Sequence, residues 1–295
     1  MAIERASTES KDEGRVAELG QHLGRLLLGD WSWLEGVELL VISPDLDLYG
    51  LPFALLRDPA GESLLDRTAI VLSPSIRRFQ EQTETLLPLA AGSAVLAVGD
   101  PAFDDSVFRL PRLPFAAREA SLIADLYPNP ASQKLLAEAA TYGRVLAGLA
   151  SVDVAHLALH SLPNRMDPLA SFLLLASGGV GNLKALDIAR QDLSSIRLVV
   201  LSGCSTSDTF EAQTETLSGL TRSFLMAGAP SVVGSLWRVD DVATATVMVD
   251  FHRRFSAGAS AAEALRQAQR SMRDDQGMSL DHWAAFQVYG ASALF

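Results

Sequence analysis

The chain has 295 residues, 48% hydrophobic and 20% charged, with a formal net charge of −11 and a single cysteine. That apolar content supports a large core, and the acidic balance argues against nucleic acid and anionic membrane as main partners while suiting a basic peptide. One cysteine makes no internal disulfide, the polar opening over 1–14 does not read as a signal peptide, and no apolar run approaches the ~20 residues of a membrane span, so a cytoplasmic protein is expected.

Val16, Leu19, Leu23 and Leu26 to Leu28 give helical spacing over 15–29. Strand-type runs follow at 38–42, 69–72, 94–98, 152–159, 197–202, 231–236 and 285–289, with helical patterns between most of them. This alternation predicts an α/β fold, a mostly parallel central sheet covered by helices on both faces. Residues 100–114 read as a surface excursion between lobes, and Gly178 to Asn182 as a turn. In the last third, Leu217, Leu220, Thr221, Phe224 and Leu225 share a helix face that stops at Gly228. Ser260 and Glu263 form a capping-box pattern that opens a helix carrying Ala261, Ala264, Leu265 and Ala268.

Two strand-type runs end in reactive side chains. Val152-Asp-Val-Ala-His-Leu-Ala-Leu159 leads to His160, and Leu198-Val-Val-Leu-Ser-Gly leads to Cys204. In a parallel sheet, functional groups gather where strands hand over to loops at their carboxyl ends. Neighbouring strands would bring imidazole and thiol to one edge, the minimum equipment of a cysteine hydrolase. An imidazole there would lower the thiol pKa or take its proton, and the backbone N–H groups of Ser161, Gly203 and Cys204 could face a developing oxyanion. The competing assignment for Cys204 is a small buried hydrophobe. His156 reads as a core histidine, and His22, His252 and His282 as surface or packing residues on helices. No CxxC, HExxH or acidic loop calls for a metal or cofactor. Asp240 and Asp241 follow another strand, either as a helix N-cap or as a carboxylate reading a basic side chain. The polar stretches 160–171 and 203–213 are long loops of the kind that carry function.

Several stretches together resemble the CHAT family, caspase-like peptidases often attached to tetratricopeptide repeats and grouped with caspases, separases and gingipains. They are Val154-Ala-His-Leu-Ala-Leu-His160, Leu198-Val-Val-Leu-Ser-Gly-Cys204, Gly219-Leu-Thr-Arg-Ser-Phe-Leu-Met-Ala-Gly228, Ser231-Val-Val-Gly-Ser-Leu-Trp-Arg-Val-Asp-Asp241, Ala262-Glu-Ala-Leu-Arg-Gln-Ala268 and Trp283-Ala-Ala-Phe286. Weaker echoes include Val98-Gly-Asp-Pro101 and Arg118-Glu119. The resemblance implies a caspase-like three-layer α/β/α domain over 37–295, preceded by a polar segment and packing helix over 1–36. It also implies a His160–Cys204 dyad. Ser161 stands where the family usually has glycine, and Gly203-Cys-Ser-Thr206 where it often has Ala-Cys-Glu-Thr. A separase-like Leu-Trp-x-Val-x-Asp pattern aligns its aspartate with Asp241, leaving Asp240 as the cap. The implied function is a cysteine endopeptidase cutting a protein partner after Arg or Lys in bacterial defence or cell death. Activation is expected from a helical-repeat partner or self-association. The alternative is a catalytically silent, partner-binding scaffold.

Overall fold

The computed structural model describes residues 13–293, apart from 85, 163, 165, 178–180 and 204–218. Cys204 therefore lies outside the described residues. Helix α1 (Glu13–Leu28) comes first. The parallel pair β1 (Leu39–Ile42) and β2 (Ala69–Leu72) follows, then α2 (Ile76–Thr83), capped by the Ser75 hydroxyl. Next come β3 (Val95–Pro101), α3 (Pro114–Asp125), β4 (Gln133–Ala137), α4 (Tyr142–Leu149) and β5 (Val154–Ala158). Proline at the start of α3 sits where its missing N–H costs nothing. A small antiparallel sheet is built from β6 (Ser161–Leu162), β7 (Phe172–Leu173) and β8 (Leu183–Lys184). The chain then forms β9 (Leu198–Leu201), α5 over 219–226, β10 (Ser231–Ser235), α6 (Asp241–Ser256), α7 (Ala261–Asp274) and β11 (Phe286–Gly290).

The main sheet has eight strands in the order β1-β2-β11-β10-β9-β5-β3-β4. Every pairing is parallel except β10 with β11. The sheet is thus two parallel blocks of opposite direction, five strands and three, joined at one antiparallel seam. Buried on both faces, β3, β5 and β9 are near-continuous apolar runs, as parallel strands require.

The two faces can be told apart by register. Gly99 pairs with Ala158, on the His156 face, and its bare Cα lets α3 close in: a Cβ there would collide with the Ala116 carbonyl. Leu96 pairs with Ala155 on the opposite face, and α4 packs on it through Gly148. Helices α3, α6 and α7 lie side by side on the His156 face. The layers are therefore helix, sheet, helix. Phe224, Phe251 and Phe286 are among the largest fully buried side chains, each stabilising the fold by about 1.5–3 kcal/mol relative to exposure.

Two expectations change. Residues 100–114 fold over the carboxyl edge of the five-strand block, with Phe103 and Leu113 buried, and are not an excursion between lobes. The polar stretch after His160 is not an open loop. Ser161 and Leu162 pair with Leu173 and Phe172, the Asp167 carboxylate accepts from Leu169 N–H, and the Ser171 hydroxyl accepts from Asn164 N–H at 3.0 Å. Polar groups here supply the order that apolar ones do not.

Candidate active site

The carboxyl ends of β3, β5, β9 and β10 meet at one rim. A small cleft, open to solvent, lies among them, with His160, Glu119, Ser202, Gly203, Arg238 and Asp241 in its walls. The order of the four strands in the sheet, not their order in the chain, makes these residues neighbours.

His160 sits two residues past the end of β5 and is 6% exposed. Its carbonyl accepts from Leu174 N–H at 2.9 Å, which ties it to the small sheet. Its Nε2 lies 2.8 Å from the Pro111 carbonyl. A carbonyl only accepts, so Nε2 carries the proton and the lone pair of the neutral ring is on Nδ1. Nδ1 has no hydrogen-bond partner among the described residues. Phe103 packs edge-on against the ring at 5.6 Å between centroids. Burial holds the imidazole below its ordinary range. Arg238 acts in the same direction, while the Pro111 carbonyl, Asp241 and Asp100 act against it.

The Pro111 carbonyl is itself held by a clamp. Asp100 accepts from Arg112 Nε at 2.9 Å and Nη2 at 2.8 Å, and from Leu113 N–H at 2.8 Å. This bidentate geometry is the strong, directional form of an Arg–carboxylate pair. Asp100 adopts a left-handed φ of 44° at the end of β3, a conformation that costs energy in a non-glycine residue and that the clamp supports.

Beyond β9, Ser202 N–H donates to the Leu157 carbonyl at 3.1 Å. A Cβ at Gly203 would collide with the Leu159 carbonyl, so this chain needs glycine immediately before its cysteine. Ser202 Oγ–H donates to Glu119, which is 2% exposed. After β10, Asp240 accepts from Val242 N–H and Ala243 N–H at 3.0 and 3.1 Å and caps α6. Asp241 turns into the cleft. Burial, then the neighbouring Asp240, holds its carboxyl above the usual carboxylate value, with Arg238 pulling it down. Thr244, one turn along α6, brings a buried hydroxyl without a partner among the described residues to the same wall.

Of the residues singled out from sequence, His160, Gly203 and Asp241 line this cleft, Asp240 caps the adjoining helix, and Ser161 opens β6 opposite Leu173. Sequence reasoning missed Asp100, Pro111, Arg112, Glu119 and Ser202. The end-of-strand rule applied to His160 applies equally to Asp100 and Ser202, but the rule does not show that Asp100 is spent on Arg112 and Leu113 N–H and Ser202 on Glu119. Among the described residues no cluster of His, Cys, Asp and Glu could hold a metal, and no helix is long and apolar enough to cross a membrane.

A family model described as the CHAT domain matches residues 17–291. Tetratricopeptide repeat protein 28 of Homo sapiens is 25% identical over 301 residues, covering 85% of this chain, and its Mus musculus counterpart is 25% identical over 302 residues. The chain spans 12% of the length of either relative. Among solved structures, the Saccharomyces cerevisiae separase–securin complex is similar with a TM-score of 0.56 at 17% identity, covering 84% of this chain and 15% of that one. The Arg-specific cysteine proteinase gingipain R gives 0.56 at 10% identity, covering 98% and 69%. The chain belongs to the CHAT domain family and has a caspase-like fold.

Proposed function

We propose that this CHAT-family chain is a cysteine endopeptidase whose dyad is His160 and Cys204. One observation carries the proposal: the His160 tautomer. With Nε2–H spent on the Pro111 carbonyl, the basic nitrogen is left for a thiol on the segment that follows β9, the strand hydrogen-bonded beside β5. A ring kept neutral by burial is also in the protonation state a base requires.

The chemistry follows from that geometry. Nδ1 takes the thiol proton, and the thiolate attacks the scissile carbonyl, whose π electrons move to oxygen. Backbone N–H groups, for which Ser161 and Gly203 are the candidates, stabilise the oxyanion. The C–N bond breaks, the Nδ1 proton goes to the leaving amine, and a thioester remains on Cys204. Water, deprotonated by Nδ1, then attacks the thioester and releases acid and thiol.

Asp241 is the candidate for selecting a basic residue, Arg or Lys, before the scissile bond. Its burial makes it costly to leave unpaired, and an incoming guanidinium would relieve that cost. On family context alone we assign the activity to cytoplasmic defence or cell-death signalling in bacteria, latent until a helical-repeat partner or self-association completes the site. The domain is taken as 37–295, preceded over 1–36 by a polar segment and the packing helix α1.

The test uses the single cysteine. A peptide probe with a thiol-reactive group after Arg should label wild-type protein once, at Cys204, and a peptide library should be cut after Arg or Lys. Cys204→Ala should do neither. A wild-type chain that neither labels nor cleaves, alone or with candidate repeat partners, would favour the silent scaffold.

A further inference from the structure

A chain of polar side chains runs through the helix layer into the cleft wall. Tyr127 follows α3, and its hydroxyl lies 2.9 Å from His252 Nδ1 on α6. His252 Nε2 lies 3.1 Å from His156 Nδ1 on β5. His156 Nε2 stands 2.9 Å from Glu119 Oε1 on α3, at ion-pair distance though not on the N–H axis. Glu119 Oε1 accepts from Ser202 Oγ–H. Both histidines are 0% exposed, Glu119 is 2% and Ser202 is 3%.

Groups this deeply buried persist only where each meets another. Burial pushes the Tyr127 phenol far above its usual range, so it stays a neutral hydroxyl, and holds His252 well below its own, so it stays a neutral imidazole. One assignment satisfies these constraints in sequence. Tyr127 donates to His252, His252 donates to His156, Ser202 donates to Glu119, and His156 Nε2–H stands beside the same carboxylate oxygen. Glu119 is the common acceptor, and it is the member that lines the cleft together with Ser202.

We propose that Glu119 is a positioning residue for the segment that leads to Cys204, fixing Ser202 where the chain leaves β9 and being fixed in turn by His156, His252 and Tyr127. The proposal rests on the His160–Cys204 dyad. Ser202 is locked by its N–H on Leu157 and its hydroxyl on Glu119. Gly203 is pressed against the Leu159 carbonyl. The thiol, two residues beyond Ser202, starts from this anchor. A displacement of about 1 Å at a reacting group costs on the order of 100-fold in rate, so freeing Ser202 should weaken the thiol's pairing with His160 without unfolding the chain.

The readout is alkylation of the only cysteine by iodoacetamide, followed by mass spectrometry across pH, with melting temperature measured in parallel. In wild type the alkylation midpoint should lie well below the ordinary thiol value of about 8.5. Ser202→Ala and Glu119→Ala should each move it up towards that value and slow the reaction at neutral pH roughly 10- to 100-fold. The double variant should be no worse than the worse single, because both remove one hydrogen bond. Tyr127→Phe, remote from the cleft, should shift it the same way by a smaller factor. Ser202→Ala removes only a hydroxyl, and it decides the matter should Glu119→Ala fail to fold. A low wild-type midpoint unchanged in Ser202→Ala overturns the proposal and leaves the dyad standing, as do additive effects in the double variant. A wild-type midpoint at the free-thiol value overturns this proposal, while the dyad falls only if His160→Gln also leaves peptide cleavage unchanged.

Discussion

His156 and His160 belong to one stretch of chain, four residues apart, and have opposite environments. His156 lies within β5, fully buried, with Nδ1 paired to His252 and Nε2 facing the Glu119 carboxylate at 2.9 Å. His160 lies two residues past the strand, with one nitrogen committed to a carbonyl and the other turned to no described partner. Burial and residue type do not separate them. What does is the number of ring nitrogens left over once the fold has been built, and that is decided by whether the residue is inside the sheet or on its rim.

Exchanging their fates is the most severe way to break this contrast. His160→Gln should lower peptide cleavage by on the order of 10³-fold or more, as for members of a catalytic unit, with little change in melting temperature. His156→Gln should do the reverse, costing about 1–3 kcal/mol of stability through buried groups left unpaired and reducing cleavage far less. Steady-state kinetics and thermal melts on the same preparations decide it. Comparable activity losses in the two would show that rim and interior are not distinct.

Asp240 and Asp241 repeat the contrast at the next strand end, with adjacent carboxylates in place of histidines. Asp241→Ala should weaken cleavage after Arg relative to a neutral residue by about 2–5 kcal/mol, the cost of removing one partner of a desolvated pair. Asp240→Ala should leave that preference alone and cost about 1 kcal/mol of stability as a lost cap. An Arg preference intact in both would place the selecting acid outside this turn.

The smallest expected effect concerns pH and sharpens the interior side. Burial holds His252 well below its ordinary value. Its unfolded value is about 6.5, so below that pH the unfolded chain binds a proton that the folded chain refuses. Stability should therefore be present above pH ~6.5 and be lost progressively as pH falls towards the folded value. His160, also depressed, adds in the same direction. Asp241, raised by burial, acts oppositely, but around the lower carboxylate range. Melting temperature followed from pH 7.5 to 5 should fall in wild type and fall less in His252→Asn. A flat wild-type curve would mean that His252 and His160 are not held neutral.

Much of the frame was legible in sequence because the five-strand block is buried on both faces. Its strands at 95–101, 154–158, 198–201 and 231–235 are apolar runs with polar stops, and the stops are the rim. β4 was not legible. As an edge strand beside β3 alone, it alternates weakly and carries Gln133 and Lys134. β6, β7 and β8 have two residues each, too few for any period. Glu119 falls on the buried face of α3 with Ala116, Ala120 and Ile123, so the helical period marks an acid on an apolar face but not the groups it meets. Its partners come from β5 and the end of β9, so only the fold can reveal it. Asp100 and Glu119 had been visible solely as family echoes without a role.

The group that holds His160 is a main-chain oxygen, and this changes what a mutational map of the protein would look like. Any residue at position 111 supplies a carbonyl, so a scan through the loop would find Pro111 tolerant and suggest that nothing there matters. The signal would surface instead at Asp100 and Arg112, neither of which is hydrogen-bonded to the imidazole. A tolerant position flanked by an intolerant ion pair is then the genetic signature of a backbone partner, and a search for a third catalytic side chain in such data would settle on the wrong residue.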